Sequence, residues 1–357
     1  MGGNYGDGCG SSCRSSYVQT DDVETLVEKF FSSGKREHLI SAAKKYLNGS
    51  YEKGLIRYVL DAADVSEATN EFPGIEIESK LEISFAQAQS DGAQRSFELS
   101  DILDVIEFPP SKNARFVKDP CNLESAGTNY FYGSDDGAER VTVIHKGGNF
   151  YLKQKGDVQP YSFGIAGEQF VLRRPETREL TTPPEIMDAL QRYQHEGIKY
   201  QGKIEKKKAE AFVLQTLSGR IYSLVVSDAR RNLDEKEQWQ LEIEYAGYIP
   251  GFKTNVGREE EIVDDIVTLM KHVCFFYNNL PLDSGELVSF APTTERKYDF
   301  IRGVKVDGDG SRNGRTNGKA QTAIDEDFGL LSELQGGLQM KALTATTSRI
   351  PRDSKKE

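Results

Sequence analysis

The stretch from Ile75 to Ile83 alternates between apolar and charged residues with a period of two. In an extended chain its side chains fall on two faces, an apolar one with Ile75, Ile77, Leu81 and Ile83 and a charged one with Glu76, Glu78, Lys80 and Glu82. Taken alone, this pattern is typical of a solvated edge of a sheet. It recurs in Gln238–Tyr245, where Glu242 and Glu244 share the polar face. Two strands that each carry a Glu-x-Glu pair can supply four carboxylates to one hard cation.

Residues 73–281 contain a series of such strand-like segments, separated by turn residues and a few helical patterns. The predicted strands that follow the first are Tyr130–Tyr132, Arg140–His145, Asn149–Lys155, Gln169–Arg174, Lys199–Leu214, Arg220–Asp228 and Gln238–Tyr245. Gly147-Gly148 is a strong hairpin signal, and helices are expected at Leu99–Ile106, Glu185–Gln194 and Ile262–Phe276. About eight antiparallel strands with few helices predict a mainly β (α+β) fold, an eight-stranded closed tunnel barrel with flanking helices.

The two ends of the chain have different patterns from the barrel region. Residues 1–20 are rich in Gly and Ser and predict a disordered tail, while 21–72 carry helical spacing and predict a small helical segment. Its three helices are indicated by Leu26, Phe30 and Phe31, by Leu39, Ala43 and Tyr46, and by Leu55, Tyr58 and Val59. Residues 282–357 have low complexity and predict a disordered C-terminal tail. The domain organisation is therefore expected to be 1–20, 21–72, 73–281 and 282–357.

Composition excludes several classes of function. The 357 residues carry a net charge of -11, which argues against a protein that coats nucleic acid. No run approaches the roughly 18 apolar residues of a membrane span. The four cysteines, Cys9, Cys13, Cys121 and Cys274, are scattered and form neither a disulfide framework nor a metal motif. We therefore expect a cytoplasmic protein in a reducing compartment.

Basic residues occupy the polar faces of the strands between the two acidic ones. The set comprises Arg140, Lys153, Lys155, Arg174, Lys206 and Lys208. Each of these side chains alone fits a solvated strand surface. Together with the Glu-x-Glu strands they fit a polyanion bound through a metal, because Mg²⁺ or Mn²⁺ bridges carboxylates to phosphates while Lys and Arg neutralise the remaining charge. The simplest such ligand is a triphosphate.

The segment Glu76-Ile77-Glu78-Ser79-Lys80 resembles the Glu-x-Glu-x-Lys signature of the CYTH group, the triphosphate tunnel metalloenzymes. The resemblance extends over about residues 74 to 280. It includes the late acidic strand Gln240–Glu244, the basic strand Ile204–Lys208, Asp228, Leu152-Lys153 and Arg174-Pro175-Glu176. The chain departs from the family where a second arginine is common after Arg140, since Thr142 stands there, and where Lys206 and Lys208 replace arginines.

The resemblance implies an eight-stranded tunnel, dependence on Mg²⁺ or Mn²⁺, and action on a triphosphate. It further implies that the metal is held by Glu76, Glu78, Glu242 and Glu244, which with Lys80 form the catalytic set. The residues implied to bind phosphate are Lys80, Arg140, Lys153, Lys155, Arg174, Lys206 and Lys208. The leading expectation is hydrolysis of an inorganic or organic triphosphate, such as tripolyphosphate, a nucleoside triphosphate or thiamine triphosphate.

Two other functions stay open at this stage. A class IV-type adenylate cyclase uses the same fold, although nothing in the sequence selects adenine. The second is a non-catalytic protein that binds polyphosphate or nucleotides. It is favoured because Thr142, Lys206 and Lys208 stand where the resembling family commonly has arginines. Expected partners are a triphosphate-containing small molecule or polyphosphate, no membrane, and no nucleic acid except an RNA 5′-triphosphate end. The N-terminal helices or the tails could also recruit a protein partner.

Overall fold

The computed structural model describes residues 23–33, 38, 41–42, 72–86, 97–108, 115–118, 123–134, 138–215, 217–231, 236–248, 258–282, 285–303, 305–306 and 312–313. The chain divides into two compact units, Met1–Glu52 and Lys53–Glu357. In the first unit, helix α1 spans Val23–Ser33 and buries Leu26, in agreement with the first predicted helix. The predicted N-terminal tail and the third predicted helix lie outside the described residues.

The second unit is mostly β. Its strands are β1 (Ile75–Ala86), β2 (Phe116–Lys118), β3 (Leu123–Gly133), β4 (Glu139–Lys146), β5 (Asn149–Lys155), β6 (Gln159–Pro160), β7 (Val171–Leu180), β8 (Lys199–Gln215), β9 (Arg220–Arg231), β10 (Lys236–Tyr248), β11 (Leu280–Pro281), β12 (Leu287–Thr293), β13 (Lys305–Val306) and β14 (Arg312–Asn313). Its helices are α2 (Leu99–Asp104), α3 (Pro183–His195), α4 (Glu259–Phe276) and α5 (Lys297–Arg302), with a 3₁₀ turn at Glu168–Phe170. Within the described ranges, no helix is long and apolar enough to cross a membrane.

Eight strands close into an antiparallel barrel in the order β1-β10-β9-β8-β3-β4-β5-β7, with β7 returning to β1. This confirms the predicted fold class. One edge of β1 pairs with β10, while its other edge pairs first with β7 and then, from Lys80 onwards, with the additional strand β12. Strand β1 therefore closes the barrel and also connects it to the segment that follows α4.

The outer surface of the barrel forms the hydrophobic core. Odd-numbered residues of β1, such as Ile77 and Leu81, are fully buried there with Ile243 of β10 and with the apolar face of α4, including Ile266. The hydroxyl of Ser79 also faces α4, since it donates to the sulfur of Met270. On other strands, β3 to β5 bury their outward side chains against α3. With apolar side chains committed to the outside, the alternating polar positions face the lumen.

The predicted turn between β4 and β5 is observed at Gly147-Gly148. Both residues have positive φ angles, 57° and 75°, which only glycine adopts without strain. The strands flanking it agree closely with their predicted bounds, and several others extend further than predicted; β8, for example, runs to Gln215.

The expectation that order ends near residue 281 is wrong for residues 285–303. Strand β12 adds to β1, and helix α5 follows it. The sequence of β12, Leu287-Val288-Ser289-Phe290-Ala291-Pro292-Thr293, contains a proline that weakens a strand prediction, yet Pro292 is accommodated next to Leu81. Helix α5 has only six residues, too few for helical periodicity to identify it.

Helix α5 fills one end of the barrel lumen. Its Tyr298 and Ile301 form a buried cluster with one lumen-facing residue from each of three strands. These are Phe131 of β3, Ile204 of β8 and Ala229 of β9. The Arg231 guanidinium donates to the carbonyl oxygens of Phe300 and Ile301, at 2.9 and 3.0 Å, and so anchors the end of the helix. A Cβ atom at Gly202 would lie 2.8 Å from the Ile301 side chain, so the close approach of α5 requires glycine there.

Truncation of the outer face of β1 tests this packing. Ile77→Ala removes a fully buried side chain beneath α4, and we expect it to lower the free energy of unfolding by about 2–5 kcal/mol. Glu82→Ala, an exposed position on the same strand, is the control and should change it by less than about 0.5 kcal/mol. Chemical denaturation measures both values, and equal effects of the two changes would contradict the assigned register.

Candidate functional site

The lumen contains a cavity of about 590 Å³ that is dominated by charged side chains. Among the residues that the structure describes, nine basic side chains line it: Lys80, Lys146, Lys153, Lys155, Arg174, Lys206, Lys208, Arg296 and Lys297. Six acidic side chains from the same described set share its wall: Glu76, Glu78, Glu139, Glu210, Glu242 and Glu244. The cavity is therefore lined by more cations than carboxylates, although the whole chain has a net charge of -11. This local excess of positive charge is suited to an anionic ligand.

The central carboxylates are positioned by the pairing of β1 with β10. Their register places Glu78 opposite Glu244 and Lys80 opposite Glu242. Facing residues of an antiparallel pair have Cα atoms only about 4.5–5.5 Å apart, so the four side chains share one small region. Glu76 follows on the same face and lies opposite Arg174 of β7.

Lysines engage most of these carboxylates. The Lys80 ammonium lies 2.7 Å from Glu78 Oε1, and the Lys155 ammonium lies 3.4 Å from Glu76 Oε2. Glu242 is contacted by Lys206 at 3.4 Å, by Lys80 at 4.0 Å and, most closely, by Lys297 of α5. Buried ions require such partners, because an isolated charge in the protein interior is strongly unfavourable.

These surroundings divide the four carboxyl groups into two classes. Burial opposes ionisation of Glu76, but Lys155 and the other nearby cations outweigh it and lower its pKa to about 2. The pKa of Glu242 is likewise well below its usual range, because Lys206, Lys297 and Lys80 outweigh burial. Burial, together with repulsion from Glu76 and Glu78, raises the pKa of Glu244 to about 8. Burial also raises the pKa of Glu78, although the charge of Lys80 opposes the shift. The site thus combines two carboxyl groups with lowered pKa values and two with raised pKa values.

Lys297, one of the lysines around Glu242, has a lowered pKa. Burial lowers its pKa to about 7, and the positive charges of Lys206 and Lys80 add to the effect, while Glu242 opposes it. Its ammonium also donates to Gln240 Oε1 at 3.2 Å. Three lysines around one carboxylate leave an excess of positive charge that an anion would relieve.

The structure brings all but one of the sequence-predicted site residues into this one cavity. The exception is Arg140, which is absent from the cavity wall; its Nη1 donates to Asp157 Oδ1 at 2.7 Å, and 30% of its side chain is exposed. Asp228 also lies outside the cavity, where its carboxylate accepts from Arg230 at 3.0 Å and burial raises its pKa. The predicted roles of the residues that line the cavity remain predictions.

Sequence reasoning missed Glu139. The β3–β4 register shifts between Tyr132 and Gly133, so that Glu139 joins the lumen face rather than alternating away from it. Its two carboxylate oxygens accept from the Thr142 hydroxyl at 2.7 Å and from the Arg174 guanidinium at 2.8 Å. Thr142 therefore helps to fix the carboxylate that orients Arg174. An irregularity in strand pairing leaves no signal in a single sequence.

Arg296 and Lys297 were also missed, because they lie beyond the predicted barrel region. Arg296 forms a two-pronged ion pair with Asp299, with both N–O distances at 2.8 Å, at the start of α5. The capping of α5 by this pair holds Lys297 in the lumen. The one sequence feature that could have indicated these lumen residues is a basic pair before an aromatic residue, Arg296-Lys297-Tyr298.

A metal ion would have to compete with the lysines for the carboxylates. Across the described residues, no three acidic, histidine or cysteine side chains converge on a point where an ion would bind. The donor chemistry nevertheless fits a hard cation, because Glu76, Glu78 and Glu244 are close enough to repel one another. The pairing of β1 with β10 places Glu78 directly opposite Glu244, so two of these carboxyl groups come from facing positions.

Comparisons with known proteins give distant likenesses of fold. No family model matches the chain, and no curated protein matches it. Among solved structures it is similar to the PH1819 protein of Pyrococcus horikoshii OT3, with 14% identity over 60% of this chain and 93% of that chain and a TM-score of 0.32. It is also similar to the Pct1 RNA triphosphatase of S. pombe, with 12% identity over 65% of this chain and 91% of that chain and a TM-score of 0.28. The same enzyme in complex with the Spt5 CTD gives 12% identity, 56% and 83% coverage and a TM-score of 0.27.

The raised pKa of Glu244 predicts a pH-dependent contribution to stability. An unfolded glutamate titrates near pH 4.3, so the protonated Glu244 stabilises the folded state at low pH, and this contribution is lost as the pH rises through about 8. Glu244→Gln stays neutral at every pH. In metal-free protein, its free energy of unfolding should match the wild-type value near pH 4 and exceed it by about 1 kcal/mol or more near pH 9.

Denaturation across a pH series in the presence of a chelator measures this difference. Glu205→Gln is the control, since Glu205 is exposed on the outer face of β8, and this variant should follow the wild-type profile. A constant difference between Glu244→Gln and the wild type at all pH values would show that Glu244 is not protonated in the folded state at neutral pH.

Proposed function

We propose that this chain is a divalent-metal-dependent hydrolase that cleaves a phosphoanhydride bond of a triphosphate inside the barrel lumen. The observation that carries the proposal is the clustering of nine cations and six carboxylates around one cavity in a chain that is acidic overall. The cations exceed the carboxylates, and the carboxylates include a mutually repelling set that suits Mg²⁺ or Mn²⁺. A metal-bound triphosphate satisfies both features at once.

The proposed phosphate site is formed by basic residues from several strands that converge in the lumen. Arg174 is held at two points, because its guanidinium donates to Glu139 and its Nε donates to the Gly156 carbonyl oxygen at 3.2 Å. Lys153 and Lys155 lie beside it and share Glu176 at 2.6 and 3.2 Å. A bound triphosphate would replace part of these ion pairs with contacts of the same charge-assisted kind, because a phosphate oxygen, like a carboxylate oxygen, is a charged acceptor.

The proposed metal ligands are Glu76, Glu78 and Glu244, with Glu242 as the fourth carboxylate of the set. A divalent ion there supplies neutralisation of phosphate charge and orientation of an attacking water. Binding of the ion requires Glu244 to lose its proton, so occupancy should increase with pH near neutrality. Lys80 and Lys206, released from Glu78 and Glu242, then become available to the phosphates.

In the proposed reaction, water adds to the terminal phosphorus and the bond from that phosphorus to its bridging oxygen breaks. The products are orthophosphate and the shortened polyphosphate or nucleotide. The chain contributes fixed cations that stabilise the spreading negative charge, which is the main requirement of phosphoryl transfer. Arg174 and the lysines supply this without any covalent intermediate.

A non-catalytic protein that binds polyphosphate or nucleotides is the second candidate. The observation that favours it is the engagement of Glu242 by three lysines, together with the absence of convergent acidic ligands among the described residues. In such a protein the same lumen would bind phosphate through lysines alone, without a metal.

Phosphate release distinguishes the two candidates. Purified protein is incubated with tripolyphosphate, ATP, thiamine triphosphate or a 5′-triphosphorylated RNA in the presence of Mg²⁺ or Mn²⁺. We expect metal-dependent release of orthophosphate from at least one of them. Tight binding of these compounds without release would support the binding protein instead, and formation of cyclic AMP from ATP would identify a cyclase.

Substitution of the carboxylates tests their proposed role in metal binding. Glu78→Gln and Glu244→Gln keep the size of the side chains, and each should lower kcat/KM by about 100-fold or more if the metal orients the reaction. Mg²⁺ should also raise the Tm of the wild type, as expected for a ligand that binds only the folded state, and this shift should be reduced in both variants.

Glu205→Gln, outside the lumen, is the matched control and should keep both the activity and the Mg²⁺-dependent Tm shift. Far-ultraviolet circular dichroism confirms that all three variants are folded. Full activity in both lumen variants would refute the metal site.

A further inference from the structure

At the end away from α5, the described part of the cavity wall includes residues that are exposed to solvent. There the hairpin that joins β4 and β5 contributes Lys146, Gly147 and Asn149 to the cavity wall, and all three are exposed to solvent. At the other end the buried cluster around Tyr298 and Ile301 fills the lumen. A ligand therefore enters past the β4–β5 hairpin, and whatever part of it does not bind the charged region must lie near this opening.

A row of three uncharged side chains crosses neighbouring strands of the cavity wall. Asn129 on β3 is the register partner of Ile144 on β4, which is the partner of Tyr151 on β5. All three line the cavity and are partly exposed. We call these residues the mouth row, because its Tyr151 end lies two residues from Asn149 in the hairpin, whereas Asn129 pairs with Ile204 of the cluster beside α5. The adjacent row, further from the hairpin, is Phe131, Thr142 and Lys153.

The mouth row combines a flat ring, an aliphatic side chain and an amide. Within the part of the chain that the structure describes, the ring of Tyr151 stacks on no other ring, and neither its hydroxyl nor the amide of Asn129 has a hydrogen-bond partner. Tyr151, Lys153 and Lys155 lie on the same face of β5, and successive members of this set are about 7 Å apart along the strand. The ring of Tyr151 therefore lies next to the proposed phosphate site, on the side of the β4–β5 hairpin.

We propose that the mouth row binds a planar heteroaromatic group attached to the triphosphate, with stacking on Tyr151 and a hydrogen bond to Asn129. This inference rests on the proposed function and makes it more specific. The preferred substrate is then an organic triphosphate with an aromatic base, such as a nucleoside triphosphate, rather than inorganic tripolyphosphate. The closed end near α5 enforces the orientation, because the phosphates must enter first and the base must remain at the opening.

Comparison of ATP with tripolyphosphate in variants of Tyr151 tests the inference. Tyr151→Ala should lower kcat/KM for ATP about tenfold, as expected for loss of one stacking contact, and leave the value for tripolyphosphate within about twofold. Tyr151→Phe keeps the ring and should retain nearly the wild-type value for both substrates. Gln154→Ala, exposed on the opposite face of the same strand, is the control and should change neither.

Calorimetric binding of a non-hydrolysable β,γ-imido ATP analogue and of tripolyphosphate, with Ca²⁺ in place of Mg²⁺, gives a second readout that needs no turnover. Weaker binding of the ATP analogue alone by Tyr151→Ala supports the inference even if the wild type hydrolyses nothing, in which case the proposed hydrolase fails separately. Equal losses for both ligands, or no loss for either, would overturn the assignment of the mouth row. Wild-type preference for tripolyphosphate over ATP would overturn it as well.

Discussion

Charge balance inside the lumen is the constraint on which the rest of the structure depends. The β1–β10 register places two pairs of ionisable residues side by side in the lumen, Glu78 with Glu244 and Lys80 with Glu242. A shift of one residue would turn Ile77 and Leu81 into the lumen and the carboxylates into the core beneath α4, because the side chains of a strand alternate. The outer hydrophobic core and the inner charged site are therefore specified by the same register.

The same balance explains why the site suits exchange of ligands. The lumen charges pair with one another, but the pairing is uneven. Glu242 has three lysines, whereas at Glu244 burial and the charges of Glu76 and Glu78 outweigh Lys153 and raise the pKa to about 8. A cation would favour the ionised form of Glu244, and an anion would relieve the crowding of lysines. A cation and an anion that bind together would therefore offset both the repulsion among the carboxylates and the repulsion among the lysines.

The sequence could predict the features that follow from simple alternation. The barrel strands and the lumen positions of Glu76 and Glu244 result from a period of two with an apolar outer face. The hairpin results from the two glycines Gly147 and Gly148, which adopt positive φ angles. The position of Glu139 could not be predicted, since it depends on a shift of register between β3 and β4. The same shift separates Arg140, at the edge near Asp157, from Thr142, in the lumen.

Helix α5 also could not be predicted from local sequence, and it changes the shape of the barrel lumen by filling one end of it. Its six residues have little helical preference of their own, and tertiary contacts with Gly202, Ile204 and Arg231 hold it in place. By filling one end, it gives the lumen a closed end, and charged and uncharged side chains together line the remaining cavity. Lys297, on the same helix, contacts Glu242 directly. A movement of α5 would therefore change both the depth of the pocket and the charge around its central carboxylates. The proposed binding of the base and the proposed hydrolysis of the triphosphate would both depend on this one short segment.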